Sequence, residues 1–494
     1  MTLAEGRLKE LENPALSADE RALLRCRLAA EFIYTGQYED ARKVLGGFWR
    51  GVGQRPDMEG LEESTAAEVL LQVGALSGWI GASRQVQGAQ ESAKDLISES
   101  AALFEKLGEP GRVAAARSDL AVCYWREGAY DEARVLLTEA ATQAGDDAGL
   151  RAKIVLRLVV VEACAGRYSE ALLLLTDSTL LFERSTDHAV KGRFHNELAI
   201  VLQELGAAER RRDYFDRAII EYTAAIYHYE QAGHERYKAT NENNLAFLLT
   251  RLGRYRDAHG QLDHAGATLR RLNDAGLLAQ VDETRARVFI AEKKYGEADR
   301  VVTRAIQALE KGGGSALLAD ALTTHGVVLA RLGDNERSIN ILRRAADVAE
   351  GVGALSNAGL AVVTLIEEHG PRRELSQMEL YKLYRRADRL LKDTQDAEHI
   401  SRLRACARIV LRRLIGGRLR DRGFRLSEAV HEFEARFIEQ ALEETGGIVT
   451  RAAKLLGMRH QSFISMLNAR HKQLLGKRTP PEKHPRSIIK EPKE

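Results

Sequence analysis

The sequence predicts an all-α protein: a long stack of paired helices, then a small helical domain near the C-terminus. Three observations carry that prediction. A pattern of Leu-Ala, an apolar residue, Gly-x-Tyr and small residues returns along the chain at intervals of about forty. Only 8 prolines and 6% aromatic residues occur among 494, which argues against a strand-rich fold. Between Ile448 and Lys472, a short apolar-sided helix, a glycine and a second helix can be read from the spacing.

Composition sets the broad class. Hydrophobic residues make up 45% and charged residues 29%, as in ordinary globular proteins. The net charge of +2 hides an asymmetry: residues 401–494 hold 21 Lys+Arg against 10 Asp+Glu, a net +11, which leaves residues 1–400 at −9. A basic end on an acidic body suits nucleic-acid binding confined to that end, although a solvated basic tail has the same composition. Cys26, Cys123, Cys164 and Cys406 are scattered without a CxxC pair, which points to a reducing compartment and no cysteine-ligated zinc. Cys123 and Cys164 fall in helical patterns and read as small core residues. The first ten residues lack an apolar signal core, and no apolar run is long enough to span a bilayer. The expectation is a cytoplasmic protein with no membrane contact.

Residues 1–22 form an N-terminal segment, and residues 23–400 carry the repeats. The clearest copy is Leu120-Ala121, Tyr124, Gly128, Tyr130, Ala133 and Ala140. Earlier stand Leu28-Ala29, Phe32, Gly36, Tyr38 and Ala41; later, Leu245-Ala246, Leu249, Gly253, Tyr255, Ala258 and Ala265. Gly166 with Tyr168 and Ala171, and Gly333 with Ser338 and Ala345, continue the series, and Lys293 takes the glycine place in one copy. Leu198-Ala199, Leu202 and Gly206 open another, whose second helix resumes near Phe215 and Ala218. Mechanically, the glycine ends a first helix, and the following Tyr and Ala face it from an antiparallel second helix.

This pattern resembles the tetratricopeptide repeat from about Leu23 to Leu391, with weaker copies around Gly81 and Gly370. The period is longer than the usual thirty-four: Gly128 to Gly166 is 38 residues, Gly166 to Gly206 is 40, and Gly253 to Lys293 and Lys293 to Gly333 are 40 each. The resemblance implies eight or nine helical pairs in a right-handed superhelix, whose groove, lined by the first helix of each pair, holds a protein or peptide. Asn196, Glu197, Asn243, Asn244 and Arg251 stand where groove-facing polar residues would be, unless the asparagines only bond neighbouring backbone. Gly78 to Gln90, with Trp79, breaks the period as a functional loop or a plain insertion. Lys311 to Ser315 reads as a flexible joint and lacks the Lys-Ser/Thr of a phosphate-binding loop.

Residues 401–425 read as a basic linker helix with a hinge at Gly416-Gly417; Arg412, Arg413, Arg418, Arg420 and Arg422 either touch phosphates or form a solvated face. Residues 426–475 form the small domain, and 476–494 a basic, proline-rich tail without order. Thr450 reads as the N-cap of the first short helix and Gly457 as its C′ residue. Phe463, Ile464 and Leu467 face inward, which leaves Arg459, His460, Gln461, Ser462 and Ser465 outside. This stretch, with Phe433 to Gly447 before it, resembles the Fis-type helix-turn-helix domain. The resemblance implies a homodimer through Val430, Phe433, Phe437 and Ala441. It also implies double-stranded DNA as partner, with Arg459, His460, Gln461, Ser462 and Ser465 approaching base edges and Thr450, Arg451 and Lys472 near phosphates. The family usually has an arginine at the place of His460, and often Tyr-Arg-Lys at Ile464-Ser465-Met466.

Catalytic motif sets are missing, so no enzyme activity, cofactor or metal is expected. His431, His460 and His471 lie in one region without a further ligand at recognisable spacing. The expected function is a bacterial sequence-specific transcriptional regulator whose array binds a protein or peptide. The alternative is a non-enzymatic interaction scaffold whose helix-turn-helix serves dimerisation or docking.

Overall fold

The structure is a computed structural model that describes residues 11, 15–34, 36–84, 86, 88–311, 316–372, 374–392, 394, 396–418 and 425–478. Regular structure among these residues is entirely helical. The chain falls into two compact units, Met1–Ala407 and Arg408–Glu494.

The first unit is a series of antiparallel pairs. It begins with α1 (Ala18–Tyr34) and α2 (Tyr38–Leu45), α3 (Glu63–Arg84) and α4 (Ala89–Lys106), then α5 (Pro110–Arg126) and α6 (Tyr130–Gln143). Next come α7 (Ala148–Cys164) and α8 (Tyr168–Asp177) with the short α9 (Thr179–Glu183), then α10 (His188–Glu209) and α11 (Arg212–Gln231). The series continues with α12 (Glu235–Arg251) and α13 (Tyr255–Arg271), α14 (Ala275–Ala291) and α15 (Tyr295–Lys311), α16 (Ala316–Leu332) and α17 (Asn335–Gly351), and α18 (Leu355–His369) and α19 (Gln377–Leu390). The longer α20 (Ala397–Arg418) follows, running through Gly416 and Gly417, where the sequence suggests a hinge.

Left-handed residues set the rhythm. Gly36, Gly128, Gly166, Gly253 and Gly333 all have positive φ at the turn inside a pair. At Gly128 the Ala129 N–H reaches back to the Tyr124 carbonyl at 3.0 Å, which satisfies an orphan carbonyl of α5. Lys293 holds the same turn at φ 62°, so the site demands the conformation even without a glycine. Turns between pairs repeat the device at Gly108, Gly233, Gly353 and Asn273. Gly206 corrects the expected pattern. It lies inside α10, and Arg210 at φ 56° makes the turn instead. A Cβ on Gly206 would meet the Phe215 ring at 3.1 Å, so its smallness serves helix packing.

The repeated alanines close the pairs. Ala121, Ala133, Ala140, Ala246, Ala258 and Ala265 are wholly buried, as the crossing of two closely spaced backbones requires. Contacts also run far along the chain: the Tyr237 hydroxyl on α12 donates to the Tyr34 carbonyl at the end of α1 over 2.7 Å. Two sequence expectations change here. Gly78 to Ser83 continue α3 rather than forming a loop. Cys164 is exposed, unlike buried Cys26, Cys123 and Cys406, and all four are free thiols. Of the Lys311–Ser315 joint, residues 312–315 lie outside the described residues.

In the second unit, α21 (Leu426–Glu444) precedes α22 (Val449–Leu455), α23 (His460–Ala469) and a 3-10 turn (Lys472–Lys477). Ile438, Ala441, Leu442, Ala452, Ala453, Phe463, Leu467 and Leu474 form its core. Gly457 (φ 65°) ends α22, with the Met458 N–H donating to the Ala453 carbonyl at 2.8 Å, in line with its C′ reading. The N-cap of α22 is Ile448, with no side-chain cap, so Thr450 sits inside the first turn and does not cap. Arg470 and Lys477 tie this end to α21: Lys477 Nζ lies 2.5 Å from Glu439 and 2.6 Å from Glu443. The tail beyond Arg478 lies outside the described residues.

Two substitutions in the array should act in opposite directions. Lys293→Gly removes a left-handed side-chain penalty and should raise stability by about 1 kcal/mol. Gly326→Ala places a Cβ 2.4 Å from Cγ of buried Leu342 and should lower it by about 1–3 kcal/mol. Denaturant midpoints of the full chain followed by circular dichroism check both signs.

Candidate nucleic-acid interface and ligand groove

The exposed side of the second unit follows from the spacing of its core. In α23, Phe463 and Leu467 are buried, so His460, Gln461, Ser462, Ser465 and Asn468 lie outside. Arg459 immediately precedes that helix, Lys472 follows it, and Thr450 and Arg451 open α22; all four are exposed. Arg451, Arg459 and Lys472 form no ion pair with a described residue, in contrast to Arg470 and Lys477. Their charges stay available to an outside anion. Of the linker arginines, Arg412 is exposed and Arg413 is half-buried, while the side chains of 418, 420 and 422 lie outside the described residues.

Helix α21 has two apolar faces. Ile438, Ala441 and Leu442 enter the core, whereas Val430, Phe433 and Phe437 are 45%, 44% and 47% exposed. The two phenyl rings lie 4.8 Å apart and present one patch. Ala441 is only 2% exposed and packs within its own domain, so it cannot meet a second chain in this fold.

In the first unit, two cavities are lined chiefly by the first helices of successive pairs. One cavity of about 280 Å³ is bordered by Gln203, Asn243, Asn244, Glu283, Arg287 and Asp320. A second, of about 360 Å³, shares Asn244 and adds Tyr38, Trp79, Asn196, Glu197 and Asn241. Four of the five predicted partner residues therefore fall on these walls. Arg251 lines neither and instead lies 5.8 Å from the Phe215 ring centre. Gln203, Asn243 and Glu283 lie forty residues apart, as do Asn244, Thr284 and Thr324. Translating the predicted asparagines by one period would have found Gln203 and Glu283.

The groove chemistry is mixed. Trp79 is sandwiched: Tyr38 stacks on it at 5.4 Å and the Arg126 guanidinium sits 3.5 Å from its ring centre. Burial pulls the Arg126 pKa down to about 10. Arg157 pairs with Asp119 and donates to Ser118 Oγ at 2.7 Å. Burial alone would raise the Asp119 pKa, but Arg157 and Lys153 outweigh it and hold the carboxyl below its ordinary value. For Lys153, Asp119 favours the charged form, yet Arg157 and burial together bring its pKa below the usual lysine range. Burial raises Glu197, against the nearby Arg193 and the Asn196 amide. The side-chain oxygens of Gln203, Asn241 and Asn243 are buried without a protein hydrogen-bond partner. Such groups cost about 1–3 kcal/mol each when left unmet.

Two further constellations are not legible in the sequence. Ser338 Oγ lies 2.8 Å from His369 Nε2, and His369 Nδ1 contacts Glu374. The order resembles a nucleophile, base and acid, but Ser338 and His369 are fully buried and Ser338 also donates to the Gly326 carbonyl at 2.7 Å. A group with no exposed atom meets no substrate, so this network ties α17 to α18. The other is His431, Glu434 and His471 in the second unit, whose donor atoms lie within 4.8 Å of one another. It corrects the reading that the C-terminal histidines lack a further ligand. Among the described residues, no helix is long and apolar enough to cross a membrane.

These units define a helical-repeat protein with a helix-turn-helix domain. Residues 429–463 match the family described as bacterial regulatory protein, Fis family. That match ends within α23, at Phe463. No curated protein sequence matches the chain. Among solved structures, apo RapI is similar at a TM-score of 0.50 and 12% identity, over 75% of this chain and 97% of that one. A Rap protein complexed with competence and sporulation factor gives 0.49 and 12%, over 80% and 99%. The apo quorum sensor NprR from B. thuringiensis gives 0.47 and 13%, over 70% and 92%. The chain is thus all-α, a tetratricopeptide-like array followed by a Fis-type helix-turn-helix domain.

Asp119→Asn should destabilise the array by about 3 kcal/mol, because it leaves Arg157 buried beside an uncharged partner. A carboxyl with a depressed folded pKa stabilises above its unfolded value, about 3.9, and loses that contribution as pH falls through the folded value. Thermal melts of both proteins should therefore differ at pH 7 and converge as pH drops below about 4.

Proposed function

We propose that this chain is a sequence-specific DNA-binding transcriptional regulator whose repeat array takes a protein or peptide partner. What supports this reading is that Arg451, Arg459, Gln461, Ser462, Ser465 and Lys472 are all exposed on the helix-turn-helix. Gln461 is suited to pair with adenine, and Arg459 to reach guanine or phosphate. His460 approaches base edges, and Thr450, Arg451 and Lys472 contact the backbone. The domain acts as a homodimer through Val430, Phe433 and Phe437, and reads a two-fold site. Ala441, enclosed in the core, takes no part.

For the array, the unmet oxygens of Gln203, Asn241 and Asn243 favour a ligand rich in N–H donors, which an extended peptide backbone supplies along its length. Asn196, Glu197 and Asn244 would line the same path, while Arg251 stands apart from it. The protein acts by binding, in the cytoplasm, and carries out no reaction of its own.

A second reading keeps the fold and drops the DNA. Between His460 and Ala469 the reading helix has no lysine or arginine, which favours a docking or dimerisation module in a scaffold. Salt dependence separates the two. Selection of genomic fragments with the full-length protein should yield a consensus under the first reading only. Replacing Arg451, Arg459 and Lys472 with alanine should then flatten the plot of log affinity against log salt, by about 0.9 for each phosphate no longer neutralised. Unchanged binding across the titration would remove these three residues from the interface.

The dimer has its own measurement. Exposed to about half their area, Phe433 and Phe437 would each contribute about 1 kcal/mol on burial against a partner. Phe433→Asp combined with Phe437→Asp should give a monomer by light scattering, with unchanged helicity and weakened binding to a two-fold DNA site.

A further inference from the structure

The cluster of His431, Glu434 and His471 includes none of the residues proposed above to contact DNA. His431 and Glu434 are three residues apart on α21 and so share one face. His471 follows α23 and brings a second imidazole to that face from a segment 37 residues further on. Its Nε2 lies 3.2 Å from Glu434 Oε2. Its ring is wholly buried, and its Nδ1 has no hydrogen-bond partner. The His431 ring lies nearly parallel over it, 4.4 Å between centres and 9° between planes.

We propose that these three residues form a divalent transition-metal site, with Zn2+ the best chemical fit, that fastens the end of α23 to α21. Two imidazoles and a carboxylate supply the nitrogen and oxygen donors that zinc takes, with one coordination position left for water. Magnesium and calcium prefer oxygen alone. A metal takes up ring-nitrogen lone pairs, whereas the contact with Glu434 engages only Nε2 of His471 and leaves its buried Nδ1 unmet.

The donor atoms lie within 4.8 Å of one another, against about 3.3 Å between neighbours in a tetrahedron with bonds of about 2.0 Å. Half-buried His431 has room to supply the difference by turning its ring edge toward the shared centre, whereas His471 is fixed by packing. Arg470 lies 3.5 Å from the other Glu434 oxygen, and its side chain is 64% exposed, so water screens its charge from the cluster. Metal ligation would join two elements that otherwise meet through the small core, the Glu434 contacts and the Lys477 ion pairs.

Cobalt(II) is the probe, because it replaces Zn2+ and absorbs visible light strongly when tetrahedral. Metal-stripped full-length protein should bind one equivalent per chain, with a visible band that added Zn2+ abolishes. His431→Ala and Glu434→Gln should each weaken binding at least about tenfold with unchanged far-UV circular dichroism. If His431→Ala loses helicity, Glu434→Gln alone decides. No saturable binding would overturn the proposal. So would full-affinity binding in both variants, which would place the metal away from this cluster.

Discussion

The array depends on one backbone constraint: a left-handed residue about every twenty positions that stops a helix and turns the chain back. The turns at 233, 253, 273, 293, 333 and 353 mark this rhythm in the most regular stretch of the repeat. Two of them, Asn273 and Lys293, are not glycine, and adopting that conformation costs a side chain about 1–2 kcal/mol. The fold accepts the cost because a longer helix at either point would carry the next pair out of register. Each pair buries alanines at its crossing, and losing the register would expose them all. The turn is local, but its energetic support is spread over the neighbouring pairs, as in other nearest-neighbour arrays.

The groove inherits the same rhythm. With a forty-residue period, a residue at one place in a first helix reappears at the same height in the next pair. Gln203, Asn243 and Glu283 form such a ladder. The carboxylate rung is satisfied locally: Glu283 accepts from Arg287 at 2.5 Å and from Thr324 at 2.5 Å. Rungs whose oxygens have no partner are the carboxamides. An array built only for stability would replace them with small apolar residues, since an unmet buried amide weakens the fold. The unpartnered oxygens of Gln203 and Asn243 thus stand one period apart on the same wall.

Much of this is legible in the sequence because period and turn chemistry are local. Gly36, Gly128, Gly253 and Gly333 announce their turns, and even Lys293 is placed by translation from its neighbours. Gly206 misleads because the sequence cannot separate a glycine needed for φ from one needed for space. The structure gives φ to Arg210 and space to Gly206, under Phe215. Trp79 has the sequence context of a loop residue because its segment departs from the repeat pattern, though α3 simply runs on. Ala441 lies on the expected stripe of α21 but at its edge toward the domain core, since an alanine suits a domain core and a dimer seam equally well. The His431, Glu434 and His471 cluster joins residues from two elements, and no one-dimensional spacing encodes the return of the chain.

The small size of the second unit gives its polar contacts unusual weight. A domain of about fifty residues buries so little apolar area that its core rarely supplies more than about 3–5 kcal/mol. Here eight buried side chains carry that burden, with no disulfide among the described residues. Helix α21 then serves three neighbours at once. One face completes the core, a second leaves Val430, Phe433 and Phe437 open to a partner, and Glu434 on one flank with Glu439 and Glu443 on the other hold His471, Arg470 and Lys477. All three carboxylates grip the segment after α23. A helix that reads DNA must hold its side chains at fixed positions against the groove, and looseness at its far end would cost specificity before it cost folding. The buried imidazole of His471 sits at the junction where the end of α23 meets α21.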